Sequence, residues 1–256
     1  MKLAVCVSGV PRSGVGEKQE LNRDFKRNVR NLKKNFPGAN FFFGTWRPYG
    51  NVLDKELPGQ DYWLFDEPKA HYHPYLDMKP VDMVSDKMRE YAGIYRKKPR
   101  LHERTRHQTK QILCHAMMVD KLPEKYDVII RSRFDTFTLH DVDFNKYVIN
   151  TYKNKTAIGF ACLKPHWPTF QVNREQLDAD PDGKLSHYRY LFDALIMHHG
   201  DCINTKSIYK LHQDKKLCPA EFGWYQVLSK PYNDNHRCIS GWANADRCVL
   251  KQFLKG

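Results

Sequence analysis

The segment KYDVIIRSRFD, residues 125–135, constrains this chain more than any other. Tyr126, Val128, Ile129 and Ile130 form its most hydrophobic strand-length run, which reads as a strand buried in a sheet. The run stops at Arg131-Ser132-Arg133-Phe134-Asp135, so charge arrives where the apolar stretch ends. A second run, Leu3–Val7, reads as another buried strand and closes on Ser8-Gly9. After it, Phe25, Val29, Leu32 and Phe36 recur at helical spacing until Pro37-Gly38 stops them. Asn40–Phe43 is then a strand leading to Gly44-Thr45-Trp46. This β-loop-α-β order predicts a Rossmann-like α/β domain with a mostly parallel central sheet flanked by helices.

Further along, Tyr62–Phe65 reads as a short strand, and residues 51–75 otherwise as an ordered loop rich in proline and aromatics. Helical patterns cover Met83–Tyr95 and Thr105–Leu122; in the second, Ile112, Leu113, Ala116, Met117 and Val119 make the apolar face. Ala157–Leu163 reads as a strand, and Asn173–Ser186 as a polar loop. Tyr190–His198, Ser207–His212 and Glu221–Leu228 read as helices, with short β pieces around Cys238–Trp242. A chain of 256 residues suits one domain, in two halves at residues 1–145 and 146–256.

Apolar residues make up 41% of the chain, enough for a sizeable core, so disorder is not expected. The 42 Lys and Arg against 29 Asp and Glu leave a formal charge of +13, which suits anionic partners. No nucleic-acid module stands behind the scattered basic residues, so a small phosphorylated molecule or an acidic glycan is the better match. The seven cysteines form no CxxC pair, and several lie in apolar runs such as LAVCVSG. They read as free thiols acting as small hydrophobes in a reducing, cytoplasmic setting. Neither a signal peptide nor a membrane span is expected.

In a parallel α/β sheet, ligands bind beyond the carboxyl ends of the strands. Asp135 falls at such an end. A carboxylate there can hold a divalent cation, and the guanidinium groups of Arg131 and Arg133 suit phosphate oxygens. Gly9 lets backbone amides approach a ligand, and Arg12 adds charge to the same loop. Glu221 opens a helix after Pro219, where the dipole favours an acid whatever its role. Asp193 lies between Phe192 and Ala194, a setting in which an acid needs a reason. Either acid is a candidate general base. His236 in NDNHRCISGW is a candidate metal or phosphate contact.

KYDVIIRSRFDT resembles the strand-plus-acid segment of GT-A type glycosyltransferases, especially a bacterial and viral group with a YDxVIRxRxD strand motif. AVCVSGVPRS is similar to that group's first strand, FFFGTW to its second, and DALIMHHGDCINTKSIYKL and CPAEFGWYQVL to later blocks. The resemblance implies a GT-A domain that moves a sugar from a nucleotide-sugar donor, foremost a UDP-sugar, to a glycan or other hydroxyl acceptor. It also implies a Mn²⁺ or Mg²⁺ ion on Asp135, with Ser8, Gly9, Arg12, Arg131, Arg133 and His236 around the donor. Peripheral or homo-oligomeric association stays open. The departure is Arg133-Phe134-Asp135, which puts arginine where the family's motif has its first acid. Asp141-Val142-Asp143 matches the motif literally but lies beyond the strand end. Two other readings compete: a sulfotransferase using the SGVPRSG loop, and a non-catalytic basic α/β binding module.

Overall fold

The computed structural model describes residues 1–11, 25–69, 99–134, 136–138, 144–160, 195–217, 220–228, 237–238 and 250–252. Strand β1 (Leu3–Ser8) is followed by helix α1 (Phe25–Asn35), strand β2 (Asn40–Trp46), helix α2 (Gly50–Glu56) and strand β3 (Trp63–Phe65). Helix α3 (Pro99–Lys121) precedes β4 (Val128–Arg133), β5 (Thr136–Thr138), α4 (Asn145–Asn154), β6 (Thr156–Phe160) and β7 (Leu195–His199). Helices α5 (Thr205–Gln213) and α6 (Ala220–Leu228) and strands β8 (Arg237–Cys238) and β9 (Leu250–Gln252) complete the described elements.

The main sheet has the order β3-β2-β1-β4-β7-β6-β8. β1 runs parallel to β2 and β4, and β3 is parallel to β2. β7 is antiparallel to both β4 and β6, and β8 is parallel to β6. The sheet is therefore mostly parallel and flanked by helices, as the opening β-loop-α-β pattern predicts. β5 and β9 pair separately as a two-stranded antiparallel ribbon.

Side-chain alternation on β1 and β4 divides the core in two. Val5, Val7, Val128 and Ile130 pack with Leu32 of α1, Phe36 just after it, Val52 and Leu53 of α2, and Val148 of α4. Ala4, Cys6 and Ile129 pack with Ile112, Leu113 and Cys114 of α3, Ile208 of α5, and Trp224 of α6. Each core strand is thus covered on both faces. That explains why YDVII reads as a continuous apolar run rather than an alternating one.

Three expectations change. Over its described part, the helix expected at Tyr190–His198 is strand β7, whose five residues are all buried. A short apolar run with no polar side fits a central strand better than a surface helix. Residues 51–56, expected as part of an ordered loop, belong to helix Gly50–Glu56; Asn145–Asn154 is a helix that the sequence patterns leave out. Met83–Tyr95 and Asn173–Ser186 lie outside the described residues. No described helix is long and apolar enough to cross a membrane.

Candidate functional site

The carboxyl ends of β2, β1 and β4 lie side by side. In register, Ser8 stands between Gly44 of β2 and Arg133 of β4. Beyond Ser8 the chain turns through Gly9, whose φ of +114° is a conformation that L side chains rarely adopt. A Cβ there would meet Gln111 Cγ at 3.8 Å, an ordinary contact, so backbone shape and not crowding calls for glycine. The Thr45 hydroxyl donates a buried hydrogen bond of 2.7 Å to the Gly9 carbonyl, fixing the turn to β2.

Arg131 lies beneath this turn. It is fully buried, and its guanidinium carbon sits 5.1 Å from the centre of the Trp224 ring. Its Nη2 donates to Gln111 Oε1 at 2.7 Å and its Nε to Ser8 Oγ at 3.4 Å. One guanidinium therefore joins β1, β4, α3 and α6. A planar guanidinium can stack on an indole while its edges donate in-plane hydrogen bonds, and an ammonium cannot do both.

A histidine pair flanks the arginine. His115 Nε2 and His198 Nε2 are 3.0 Å apart, and His198 Nδ1 lies 2.9 Å from the His199 carbonyl oxygen. A carbonyl only accepts, so His198 carries its proton on Nδ1 and leaves Nε2 bare. His115 must then donate from Nε2, which leaves its own Nδ1 as a buried lone pair with no partner. The His115 ring also meets Trp224 edge-on at 5.5 Å. Burial, then His198, then Arg131 hold the His115 pKa well below that of an ordinary histidine. His115 is therefore neutral at physiological pH. Burial likewise pushes the thiols of Cys114 and Cys202 up to about 12. With Cys6 they are buried free cysteines, which is how the apolar runs around Cys6 read in sequence.

The structure brings Ser8, Gly9, Arg131 and Arg133 together at one edge of the sheet, with Arg133 half-buried and Arg131 sealed. Glu221 is the second residue of α6, near that helix's N-terminus. Arg12, Asp135, Asp193, His236 and the Asp141-Val142-Asp143 triplet lie outside the described residues. Gln111, Thr45 and His115 carry no sequence signature of a site. His198 and Trp224 are fully buried. The only sequence signal for Gln111 and His115 was their four-residue spacing on one helix, too common to single them out.

As for a cation, no group of three His, Cys, Asp or Glu side chains among the described residues could hold a metal. Among the described groups here, the guanidinium of Arg133 suits an anionic ligand.

No protein-family model matches the chain, and no curated protein does. Among solved structures, it is similar to 4-diphosphocytidyl-2C-methyl-D-erythritol synthase from Anaerococcus prevotii, at 8% identity and a TM-score of 0.45, over 97% of this chain and 92% of that one. It is similar to mouse xyloside xylosyltransferase 1, at 10% identity and a TM-score of 0.40, over 93% and 84% of the two chains. It is also similar to the galactosyltransferase LgtC in complex with donor and acceptor sugar analogues, at 8% identity and a TM-score of 0.44, over 100% and 87%. At TM-scores below 0.5 these likenesses are distant, and the reading of the site rests on its own residues.

Proposed function

We propose that this protein is a glycosyltransferase that binds a nucleotide-sugar donor, foremost a UDP-sugar, at the carboxyl ends of β1 and β4. The observation that carries this reading is the register of Ser8 beside Arg133, with the Gly9 turn above and Asp135 two residues beyond Arg133. A glycine turn lets backbone amides reach an anionic group, and an arginine at the adjacent strand end supplies its counter-charge. The motif resemblance of residues 125–136 points the same way.

In this reading Ser8, Gly9, Arg12, Arg133 and His236 surround the donor diphosphate, and Arg131 supports them from below. Sugar transfer leaves negative charge on the departing diphosphate, and pre-placed cations stabilise that charge as it develops. Arg133 provides one such cation in the position of the family's first acid. Mn²⁺ or Mg²⁺ on Asp135 would add a second, and that part rests on the resemblance. Glu221 or Asp193 takes the proton from the acceptor hydroxyl. Residues 1–145 form the donor half and residues 146–256 the acceptor half.

The test uses the full chain with UDP- and GDP-sugars, with and without Mn²⁺. A rise in melting temperature and slow donor hydrolysis are expected. Asp135→Ala should abolish donor hydrolysis while the far-ultraviolet circular dichroism spectrum stays unchanged. Full activity in that variant overturns the site. Stabilisation by phosphoadenosine phosphosulfate alone, or by DNA alone, overturns the activity in favour of a sulfotransferase or a binding module.

A further inference from the structure

We propose that Arg131 is a positioning residue that locks helix α6 to the β1–β4 strand ends, acting through Trp224, Gln111 and Ser8 and not by touching a ligand. The claim that this lock serves donor binding rests on the reading given under Proposed function.

Four observations converge. Arg131 is fully buried, so its charge does not face an incoming anion. A buried cation is expensive unless its surroundings satisfy it, and each contact described is with a group that also belongs to the candidate site's frame. Ser8 Oγ takes the guanidinium Nε and is the last residue of β1. Gln111 takes Nη2, and its Cγ is the atom nearest the point where a Cβ on Gly9 would lie. Trp224, itself fully buried, lies on the guanidinium face and belongs to the same helix as Glu221, one turn later. The arginine therefore fixes the distance between the Ser8-Gly9 turn and the helix that begins at Ala220. The neutral His115 behind Trp224 closes the stack without adding a second positive charge next to the guanidinium. Methionine at 131 could fill the volume, but it could neither hold the Ser8 hydroxyl nor orient the indole. Lysine could do the first only.

Hydrogen exchange on the full chain tests the lock, and UDP binding tests its use. In Arg131→Met, exchange should rise roughly tenfold in both residues 3–11 and residues 220–228, with residues 40–65 unchanged. Trp224→Phe, which keeps a ring, should give a smaller rise in the same two segments. A rise in only one segment, or an equal rise throughout, overturns the lock as mere packing. UDP affinity with Mn²⁺ is then measured for Ser8→Ala, Arg131→Met and the double variant. Because part of the action of Arg131 runs through Ser8, the double variant should lose less than the sum of the two single losses. Fully additive losses mean that Arg131 and Ser8 act independently and overturn the proposal. If Arg131→Met does not fold, Gln111→Leu takes its place in both measurements under the same criteria. A wild-type chain that fails to bind UDP removes the donor reading, and the exchange pattern alone then decides the lock.

Discussion

The two faces of the central sheet are equally dry and chemically unlike. On the face covered by α1, α2 and α4, Val5, Val7, Val128 and Ile130 meet Leu32, Phe36 and Phe144. On the face covered by α3, α5 and α6, the same two strands present Cys6, Ile129 and Arg131, against Cys114, His115 and Trp224, with His198 alongside from β7. The first face places an imidazole, His199, only at its edge, beside Tyr152 and Asp201. Apolar burial stabilises wherever it occurs. Burying a guanidinium and two imidazoles costs free energy except where hydrogen bonds and stacking compensate it. The first face is scaffold. The second carries the arrangement that holds the strand ends, and its stability should depend on protonation where the first face's does not.

The largest effect expected from this contrast is on the apolar face. Phe36 is buried and its ring centre lies 5.1 Å from that of Phe144. Phe36→Ala should lower unfolding free energy by about 3–5 kcal/mol, from lost transfer and the cavity left behind. Urea titration at pH 8 and at pH 5.5 should show the same loss. A loss that changes with pH would show that the two faces are coupled and break the distinction.

The apolar face was also the more legible in sequence. The spacing of Val29, Leu32 and Phe36 places α1, and the YDVII run places β4, because each pattern repeats a packing constraint along a contiguous stretch. Helix α4 escapes that logic. Of NKYVINTYKN only Val148 and Thr151 are buried, too few to make a visible stripe. β7 escapes it because LIMHH is buried on both faces and ends in two histidines, which a linear reading takes for surface residues. The strand-end location of the candidate site is legible, since Ser8, Gly9 and Arg133 follow from where apolar runs stop. Its construction is not. Nothing near Arg131 in the chain announces that Trp224, from a helix near the other end, lies against the guanidinium.

The second face should reveal itself by acid. His115 has a folded pKa below its ordinary value of 6.5, so the unfolded chain takes up a proton before the folded one does. The stability that neutral His115 carries is complete above about pH 6.5 and is lost as pH falls below that value, towards the lower folded pKa. The slope should be about 1.4 kcal/mol per pH unit for one proton. His115→Gln keeps a donor for His198 and removes the unpartnered nitrogen. In urea titrations between pH 7 and pH 5 it should flatten the curve by that one-proton slope. An unchanged slope would mean that the pair is not the acid-sensitive element of this face. Asp201, held low chiefly by its hydrogen bond to Lys125, loses its contribution only in more acid solution, below its ordinary 3.8, and so does not confuse the reading.

The smallest effect sharpens where the boundary between the faces falls. Thr45 lies two residues after Phe43 on β2 and so shares the apolar face; it is fully buried, and its hydroxyl holds the Gly9 carbonyl. The apolar face therefore turns polar where the strands end. Thr45→Val keeps the shape and removes the donor, so its cost is one buried hydrogen bond, about 1 kcal/mol. That loss should be the same at pH 8 and at pH 5.5, because no titrating group is involved. Its local effect should exceed its global one: exchange of Gly9 and Val10 should rise while residues 128–133 stay protected, since β4 keeps its full register with β1. If the rise instead spreads to β4 or α6, the turn depends on the Arg131 lock and not on β2, and the polar boundary belongs wholly to the second face.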